Sequence, residues 1–395
     1  MTVADRWLLP DGIEEILPPR ARRAEALRRE MLDLFDCWGY DLVIPPHLEF
    51  LESLTAGVGH DLELQIFKVT DLMTGRTMGL RADTTPAVAR IDAHNLTDEG
   101  PVRLCYEGSV FHAQPASLGA SRSPIQLGAE LYGHAGPESD IEVISLMLET
   151  LSVVGIDSPN LDLGHVQIYR ALVASAGLDR DQEQLLFDAL QRKATCEVEE
   201  LLAGWHVDAD HLGLDIVSMF KALASLSGKV DVIAKARDVL VNAPLEVFAA
   251  LDALENIAQA ITRQYPKVNL YLDLGELRGY NYHNGVVFAA YVSGHGQAIA
   301  KGGRYDGVGR AFGRARPATG FSTDLKALLD FKPCDVEART VIFAPADVDS
   351  AIVRTLRQQG LRVIIELPGQ KTDAVSSGCN QQLAYRDGDW QVEAL

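Results

Sequence analysis

The chain has 395 residues, which is enough for two or three domains with a large buried core. Its formal net charge of −19 argues against nucleic acid as the main partner, because a surface that binds phosphates must be basic. The cysteines are odd in number and show no C-x-x-C spacing, which indicates reduced thiols, a cytoplasmic location and no zinc site. The N-terminal residues lack an apolar signal core and the run VVFAAYV is too short to cross a membrane, so we expect no membrane partner.

The N-terminal third of the chain alternates helix and strand signals. Pro18 and Pro19 favour a helix start, because a first helical turn leaves its N–H groups unpaired, and Gly39 favours its end. Apolar residues recur at helical spacing between them: Ala24, Leu27, Met31, Leu34 and Trp38. YDLVIPP then predicts a short strand, and IFKVTDLMTGRTMGLRAD predicts a hairpin. Asp140 is the predicted N-cap of the helix IEVISLMLETLSVV.

The rest of the chain predicts a helical segment, returning strands and a small second domain. Residues from about 167 to 265 are rich in Ala, Leu, Glu and Gln and predict a helical insertion. Strand signals return in VNLYLDL, NGVVFAAYV and QAIA, and residues 324–330 predict a helix. We predict a core over residues 1–330 and a small β-α-β domain over residues 331–395. Strands and helices without regular alternation favour an α+β core, built on an antiparallel sheet flanked by helices.

Polar residues in four separate segments have the chemistry to bind an amino acid. The segments are LRADTTPAVAR with Arg81, Asp83 and Thr85, IQLGAELYG with Gln126 and Glu130, LRGYNYHNG with Arg278, Tyr282 and His283, and KGGRYDG with Arg304 and Tyr305. A carboxylate balances an ammonium group, and an arginine binds a carboxylate with two parallel bonds. Gln126 and Glu130 share one face if their segment is a strand. Each residue by itself is more typical of a structural role, and the spacing does not select which amino acid binds.

Two further patterns give no site. GVGRAFG lacks the dinucleotide spacing and the surrounding βαβ unit. HVDADH, at residues 206–211, matches no metal-ligand spacing and favours a solvated helix end. We therefore predict no metal and no nucleotide cofactor.

Residues 7–330 resemble the catalytic core of histidyl-tRNA synthetase, a class II synthetase, with the helical insertion matching only in position. The helix and strand that end in IPPHLEF resemble motif 1, the dimerisation motif; residues 104–133 resemble motif 2, and TGFSTDLKALL resembles motif 3. LRGYNYHNGVVF and AKGGRYDG resemble the two segments peculiar to the histidine enzyme. The resemblance implies a class II synthetase-like fold.

The same resemblance implies a histidine pocket. Its residues would be Asp83, Thr85 and Gln126 for the α-amino group, Glu130 with Tyr282 or His283 for the imidazole, Arg278 for the carboxylate, and Tyr305 beside them. Two of these depart from the family pattern, because His283 replaces a second tyrosine and Asp83 is one methylene shorter than the usual glutamate.

The positions that hold ATP in an active synthetase also depart from the pattern. Motif 2 of the family has an arginine for the α-phosphate, where this chain has His112, and the usual following glutamate is Gln114. Motif 3 of the family ends in an arginine for the γ-phosphate, where this chain has Ala327. Since charge-assisted contacts to phosphates are the strong ones, these losses imply that adenylation is absent.

A histidine pocket without the ATP arginines resembles the regulatory subunits of ATP phosphoribosyltransferase, which are paralogues of the synthetase. That resemblance implies a non-catalytic chain with no cofactor, in a hetero-oligomer with a short catalytic subunit at the first step of histidine biosynthesis. It implies histidine as the allosteric feedback inhibitor and self-association as a dimer through the motif 1-like region. Two alternatives are a divergent histidyl-tRNA synthetase and a synthetase-like amino-acid sensor that acts on another target.

Overall fold

The computed structural model describes residues 7–56, 60–96, 99–115, 117, 120–205, 216–280, 282–332, 340–370, 372–386 and 388–395. The chain divides into two compact units, Met1–Lys332 and Pro333–Leu395. No helix among the described residues is long and apolar enough to span a membrane. Within the same ranges, no group of three or more His, Cys, Asp or Glu side chains is arranged to hold a metal ion.

The first unit combines strands and helices along its whole length. Its strands are β1 (Asp41–Leu42), β2 (Leu48–Phe50), β3 (Phe67–Thr70), β4 (Thr77–Leu80), β5 (Val102–Ser109), β6 (Ile125–Tyr132), β7 (Asn160–His165), β8 (Ser227–Gly228), β9 (Asn269–Asp273), β10 (Val286–Tyr291), β11 (Ala300–Arg304) and β12 (Ala318–Asp324). Its helices are α1 (Arg20–Cys37), α2 (Leu51–Thr55), α3 (His60–Leu64), α4 (Thr85–His94), α5 (Pro137–Ser152), α6 (Val166–Ala176), α7 (Arg180–Gln191), α8 (Thr195–Gly204), α9 (Ile216–Leu223), α10 (Val232–Val239), α11 (Leu245–Gln264) and α12 (Leu325–Leu328).

Within the described ranges, nine strands pair into one sheet in the order β1-β5-β6-β12-β11-β10-β7-β9-β8. The centre of this sheet, from β5 to β7, is antiparallel, whereas β1 pairs with β5 and β7 with β9 in parallel. The predicted hairpin over residues 66–83 is present as β3 and β4, which join β2 in a small separate sheet. The α+β architecture on an antiparallel sheet is therefore confirmed.

Helix α1 lies where the prolines and the apolar spacing predict it, but its buried side differs slightly. Ala24, Leu27, Met31 and Phe35 are buried, whereas Leu34 and Trp38 pack only partly against the core. Steps of three or four residues keep Phe35 on the buried side, and Trp38 falls at its edge, where its indole N–H donates to Glu149 Oε2 at 3.0 Å. Gly39 follows with a φ of +79°, which suits a helix end.

The prediction that Asp140 caps α5 is wrong. The helix begins at Pro137 with Gly136 as its N-cap, because proline is preorganised for a first helical turn. Asp140 lies inside that first turn, and its buried carboxylate accepts from Arg304 Nη2 at 3.0 Å and Nε at 3.1 Å. Arg304 therefore anchors the start of α5 to β11.

The strand predicted around QAIA lies further along the chain. It begins at Ala300 and continues through Arg304, because these residues pair with β10 on one side and β12 on the other. This shift places Lys301 and Gly303 inside the sheet, which matters for the site below.

The helical segment predicted over residues 167–265 contains α6 to α11, which connect β7 to β9, together with the short strand β8. Its helices are not isolated from the core, because α11 packs against α5 and α6. HVDADH lies outside the described residues.

The second unit contains the predicted β-α-β pattern and a further hairpin. Its elements are β13 (Val341–Ala344), α13 (Ser350–Gln358), β14 (Arg362–Ile365), β15 (Gln381–Arg386) and β16 (Asp389–Ala394). The strands pair in the order β14-β13-β15-β16, with β13 parallel to both β14 and β15. The hairpin of β15 and β16 was not predicted from the sequence.

Candidate ligand site

One face of the central sheet brings together residues from all four predicted segments. Across β6, β12 and β11, the register places Glu130 beside Gly320 and Gly320 beside Gly303. Since paired residues of neighbouring strands point to the same side, these positions form one row on one face. Gln126 lies four residues before Glu130 on β6 and therefore points to this face as well. We call this side of β6, β12, β11 and β10 the ligand face.

Glycines form the floor of the ligand face because side chains lie directly over them. A Cβ atom on Gly320 would overlap with the carboxylate of Glu130. A Cβ atom on Gly303 would lie 2.7 Å from Cδ2 of His283. The overlap at Gly320 and the 2.7 Å approach at Gly303 are both closer than real carbon contacts allow. The Glu130 carboxylate and the His283 imidazole therefore require glycine beneath them. The two groups consequently lie over neighbouring strands.

Glu130 is the buried charge-bearing group of the face, with 1% of its surface exposed. Its Oε1 accepts from Thr85 Oγ1 at 2.9 Å and from the hydroxyl of Tyr106 at 3.1 Å. Its Oε2 accepts from the hydroxyl of Tyr305. Burial raises the pKa of Glu130 to about 8, against the opposing effect of the hydrogen bonds from Tyr305 and Thr85. A cationic ligand group beside Glu130 would favour its charged form.

A second cluster of polar side chains lies where α4 begins, beside the first residues of β6. Gln126 Nε2 donates to Asp83 Oδ1 at 2.8 Å, and the Thr84 N–H donates to Gln126 Oε1 at 2.8 Å. The Thr85 N–H also donates to Asp83 Oδ1, at 3.1 Å. No hydrogen bond from a described residue reaches Asp83 Oδ2, so this oxygen is available to a ligand ammonium group. Asp83, Thr85 and Gln126 are thus brought together as one acceptor-rich corner.

The loop before β10 places Tyr282 and His283 against this cluster. The Tyr282 ring lies 5.1 Å from the ring of Tyr305 and 5.3 Å from that of His283, measured between centroids. Among the described residues, the Tyr282 hydroxyl and His283 Nδ1 are buried without a hydrogen-bond partner. Burial lowers the pKa of His283 to about 4, so its imidazole is neutral near pH 7. Buried polar atoms normally have partners, and these two are therefore suited to a polar ligand.

The same loop is fixed by the helices that follow β7, in an arrangement that we call the loop clamp. Arg170 of α6 donates through Nη2 to the carbonyl oxygens of Tyr280 and His283, at 2.5 and 3.0 Å. Its guanidinium also lies 4.7 Å from the centre of the Tyr280 ring. The Tyr280 hydroxyl donates to Glu183 of α7. Two helices of the predicted insertion thus position Tyr282 and His283.

The arginines of the predicted constellation are engaged elsewhere. Arg278 is 48% exposed and forms ion pairs with Glu276 and, at 3.8 Å, with Asp162 of β7. Arg81 is buried and donates to the carbonyl oxygens of Pro45 and Ser109, which is a structural role. Arg304 points away from the face that carries Gly303 and anchors α5. The seven other proposed histidine-binding residues lie together, whereas Arg278 lies toward β7 with two carboxylates beside it.

Around the two positions where the sequence predicts that ATP arginines are lost, polar side chains bond within the chain. His112 Nε2 lies 3.0 Å from the carbonyl oxygen of Ala82. Lys326 is buried, and its ammonium group lies 3.3 Å from both Glu14 Oε1 and Ser123 Oγ. Ala327, in the short helix α12, carries no charge. The ammonium group of Lys326 is therefore already compensated by a carboxylate.

Sequence reasoning missed several residues that build the site. Tyr106, Gly303 and Gly320 shape the environment of Glu130 and His283, and Arg170 holds the loop. Alternation along β5 was a usable signal for Tyr106, which pairs with Gly128 across the hairpin. The others depend on contacts between distant parts of the chain.

Comparisons with known proteins agree with this fold. The family model described as Histidyl-tRNA synthetase matches residues 12–328, and the model described as ATP phosphoribosyltransferase subunit HisZ C-terminal domain matches residues 339–393. The ATP phosphoribosyltransferase regulatory subunits of Ectopseudomonas mendocina (strain ymp) and Azotobacter vinelandii (strain DJ / ATCC BAA-1303) are 58% and 57% identical to this chain. Each alignment covers all of both proteins.

Solved structures show the same architecture. The crystal structure of an ATP phosphoribosyltransferase regulatory subunit/histidyl-tRNA synthetase from Bacillus halodurans C is 27% identical, with a TM-score of 0.81 over 95% of this chain and 97% of that chain. Histidyl-tRNA synthetase from Nostoc sp. PCC 7120 is 19% identical with a TM-score of 0.75, over 98% and 97% of the two chains, and shows the fold alone. The predicted class II synthetase-like fold is confirmed.

The relatives also decide between the functions left open by the sequence. Proteins that match this chain over its full length at 56–58% identity are named as regulatory subunits, and not as tRNA synthetases. The predicted non-catalytic, regulatory role in histidine biosynthesis is confirmed. This chain belongs to the family of ATP phosphoribosyltransferase regulatory subunits, which are built on the fold of histidyl-tRNA synthetase.

Proposed function

We propose that this chain binds histidine on the ligand face and, in a hetero-oligomer, carries that signal to a catalytic ATP phosphoribosyltransferase subunit. The observation that carries the proposal is the environment of Glu130. A buried carboxylate, surrounded by the hydroxyls of Thr85, Tyr106 and Tyr305, lies next to a neutral imidazole with an unpaired nitrogen. Such a site suits a ligand with a polar, protonatable ring.

Histidine matches the polar groups of the site at both ends. Its α-ammonium group fits the corner formed by Asp83, Thr85 and Gln126, where oxygen acceptors converge. Its imidazole fits beside Glu130, within the ring of hydroxyls that includes Tyr305. Tyr282 and His283 then supply hydrogen-bonding atoms that have no partner among the described residues. The role of Arg278 toward the carboxylate stays a prediction, since Arg278 would have to exchange Glu276 for the ligand.

The oligomeric part of the proposal concerns both the partner subunit and a second copy of this chain. Self-association through the motif 1-like region is supported by exposed apolar side chains near β1, where Leu42 is 49% and Ile44 79% exposed. The partner is the catalytic subunit, and the proposed location is the cytoplasm, where a biosynthetic complex of this kind would act. The negative net charge of −19 supports a complex without nucleic acid.

Isothermal titration calorimetry with histidine, in the absence of ATP, tests the ligand. We expect the wild type to bind and Glu130→Gln to bind about tenfold or more weakly, because a charge-assisted contact is lost. Glu200→Gln, at an exposed position on α8, is the matched control and should bind like the wild type. Absence of binding to the wild-type chain would show that the histidine sensor lies elsewhere.

A further inference from the structure

Lys301 lies on the ligand face and has no partner among the residues that the structure describes. It pairs with Ser322 of β12 on one side and Ala289 of β10 on the other, and Ser322 in turn pairs with Gly128 of β6. These residues form a second row beside the row of Glu130, Gly320 and Gly303. The Lys301 side chain is exposed, and it forms no hydrogen bond or ion pair with the residues that the structure describes.

Three other cations of the first unit are already engaged, in contrast to Lys301. Arg278 has Glu276 and Asp162, and Lys326 has Glu14. Arg122, after the motif 2-like loop, donates to three backbone carbonyl oxygens. Asp162, which lies in the same row as Lys301 across Ala289, is paired with Arg278. An anion that enters the ligand face therefore meets a positive charge at Lys301 that forms no ion pair with a described carboxylate.

The row of Lys301 lies at a suitable level for the backbone of an amino-acid ligand. Along β6, Gly128 lies between Gln126, which bonds Asp83, and Glu130. Because strands are about 4.8 Å apart, the Lys301 backbone lies only about 10 Å from Gly128, across Ser322. The flexible four-carbon stem of lysine can span part of this distance. An amino acid with its ammonium group at Asp83 and its ring at Glu130 would direct its third substituent, the carboxylate, toward β12 and β11.

Two further observations support an anion at this position. The Ser322 hydroxyl, between Gly128 and Lys301, forms no hydrogen bond with the described residues, so it is available as a second donor. The charge of Lys301 also reaches the site, since it adds to the burial that lowers the pKa of the His283 imidazole. Lys301 and Ser322 are direct cross-strand neighbours, with a spacing that allows both to contact one carboxylate.

We propose that Lys301, assisted by the Ser322 hydroxyl, binds the carboxylate of the amino-acid ligand and makes the site select amino acids over amines. This inference rests on the proposed histidine site and replaces the role that the sequence predicts for Arg278. Loss of one charge-assisted contact changes affinity by roughly tenfold to a hundredfold.

Calorimetry with histidine and with histidinamide, in which a neutral amide replaces the carboxylate, tests the inference. The quantity measured is the ratio of the two dissociation constants. We expect the wild type to favour histidine, Lys301→Met to lower this preference at least tenfold, and Lys301→Arg to keep part of it. Ser322→Ala should lower it less. Lys267→Met, at an exposed turn, makes the same change in net charge and should leave the ratio unchanged.

The outcomes separate the two proposals. If the wild type binds histidine and Lys301→Met keeps the full preference, the inference is wrong while the histidine site stands. If Arg278→Gln abolishes the preference and Lys301→Met does not, the carboxylate belongs to Arg278 and the inference is wrong. If the wild type binds neither ligand, the proposed function and this inference both fail. Because Lys301 is exposed, its variants should keep the wild-type melting temperature, which thermal unfolding can verify.

Discussion

The carboxylate of Glu130 lies directly against Gly320 of the neighbouring strand, in space that any Cβ atom on residue 320 would occupy. The two residues are paired across β6 and β12, although 190 positions separate them in the chain. The absence of a side chain on Gly320 leaves space for the Glu130 carboxylate, and three hydroxyl groups donate hydrogen bonds to it. Its orientation depends on both.

Gly320→Ala should therefore displace the carboxylate of Glu130. We expect a loss of about 1–3 kcal/mol in the free energy of unfolding, because an added methyl group has no space in this packed face. We also expect histidine binding to weaken. Urea unfolding and calorimetry measure the two effects. Gly296→Ala, where a Cβ atom meets nothing within 4 Å, is the control. Equal behaviour of the two variants would contradict the packing described here.

The raised pKa of Glu130 predicts how stability depends on pH. The folded chain keeps the proton up to about pH 8, whereas the ordinary pKa of 4.5 applies after unfolding. Between these values the folded state binds more protons, so the wild type should lose stability as the pH rises, by up to about 1.4 kcal/mol per pH unit. Glu130→Gln removes this titration and should give a flatter curve. Urea unfolding between pH 5 and pH 8.5 measures the difference; parallel curves would rule out the raised pKa.

The buried pair of Arg304 and Asp140 should be essential for stability rather than for ligand binding. Arg304→Met leaves a buried carboxylate uncompensated, which should cost about 3–5 kcal/mol in the free energy of unfolding. Adding Asp140→Asn should recover part of that loss, which a double-mutant cycle measures. The control is Arg192→Met, which breaks the exposed pair with Glu197 and should cost no more than about 1 kcal/mol. A similar small cost for Arg304→Met would refute this role.

Regulation should depend on Glu130 while activation does not. In an assay of phosphoribosyl-ATP formation by the catalytic subunit, we expect this chain to raise the rate and histidine to lower it. Glu130→Gln should still raise the rate but should require about tenfold or more histidine for the same inhibition, since ligand binding is weakened. Because coupling is reciprocal, the substrates of the partner should weaken histidine binding by the factor by which histidine weakens theirs. An unchanged histidine response in the variant would place the sensor outside this pocket.

Local patterns in the sequence predicted the parts of the fold that depend on neighbouring residues. The strand period placed Gln126 and Glu130 on one side of β6, and the proline and glycine signals located α1. The alternation around Thr74 and Gly75 located the hairpin of β3 and β4. In each case the responsible residues lie within one element or one turn, where side-chain spacing alone determines direction.

Long-range pairing explains what the sequence could not provide. Asp140 has the right residue type for an N-cap, but a partner on β11 decides its role. Gly320 and Gly303 are ordinary glycines in the sequence, and only the register of three strands shows that they lie beneath Glu130 and His283. The ion pair of Arg278 could have been predicted from the sequence, because its partner Glu276 is only two residues away.

The loop clamp has a consequence for the genetics of feedback control. Arg170 and Glu183 hold the loop of Tyr282 and His283 through Tyr280 and the backbone, and neither is among the residues proposed to bind histidine. If histidine acts through that loop, cells selected for histidine overproduction should carry alleles of two kinds. Pocket alleles would no longer bind the inhibitor, whereas clamp alleles in α6 or α7 would bind it and fail to respond.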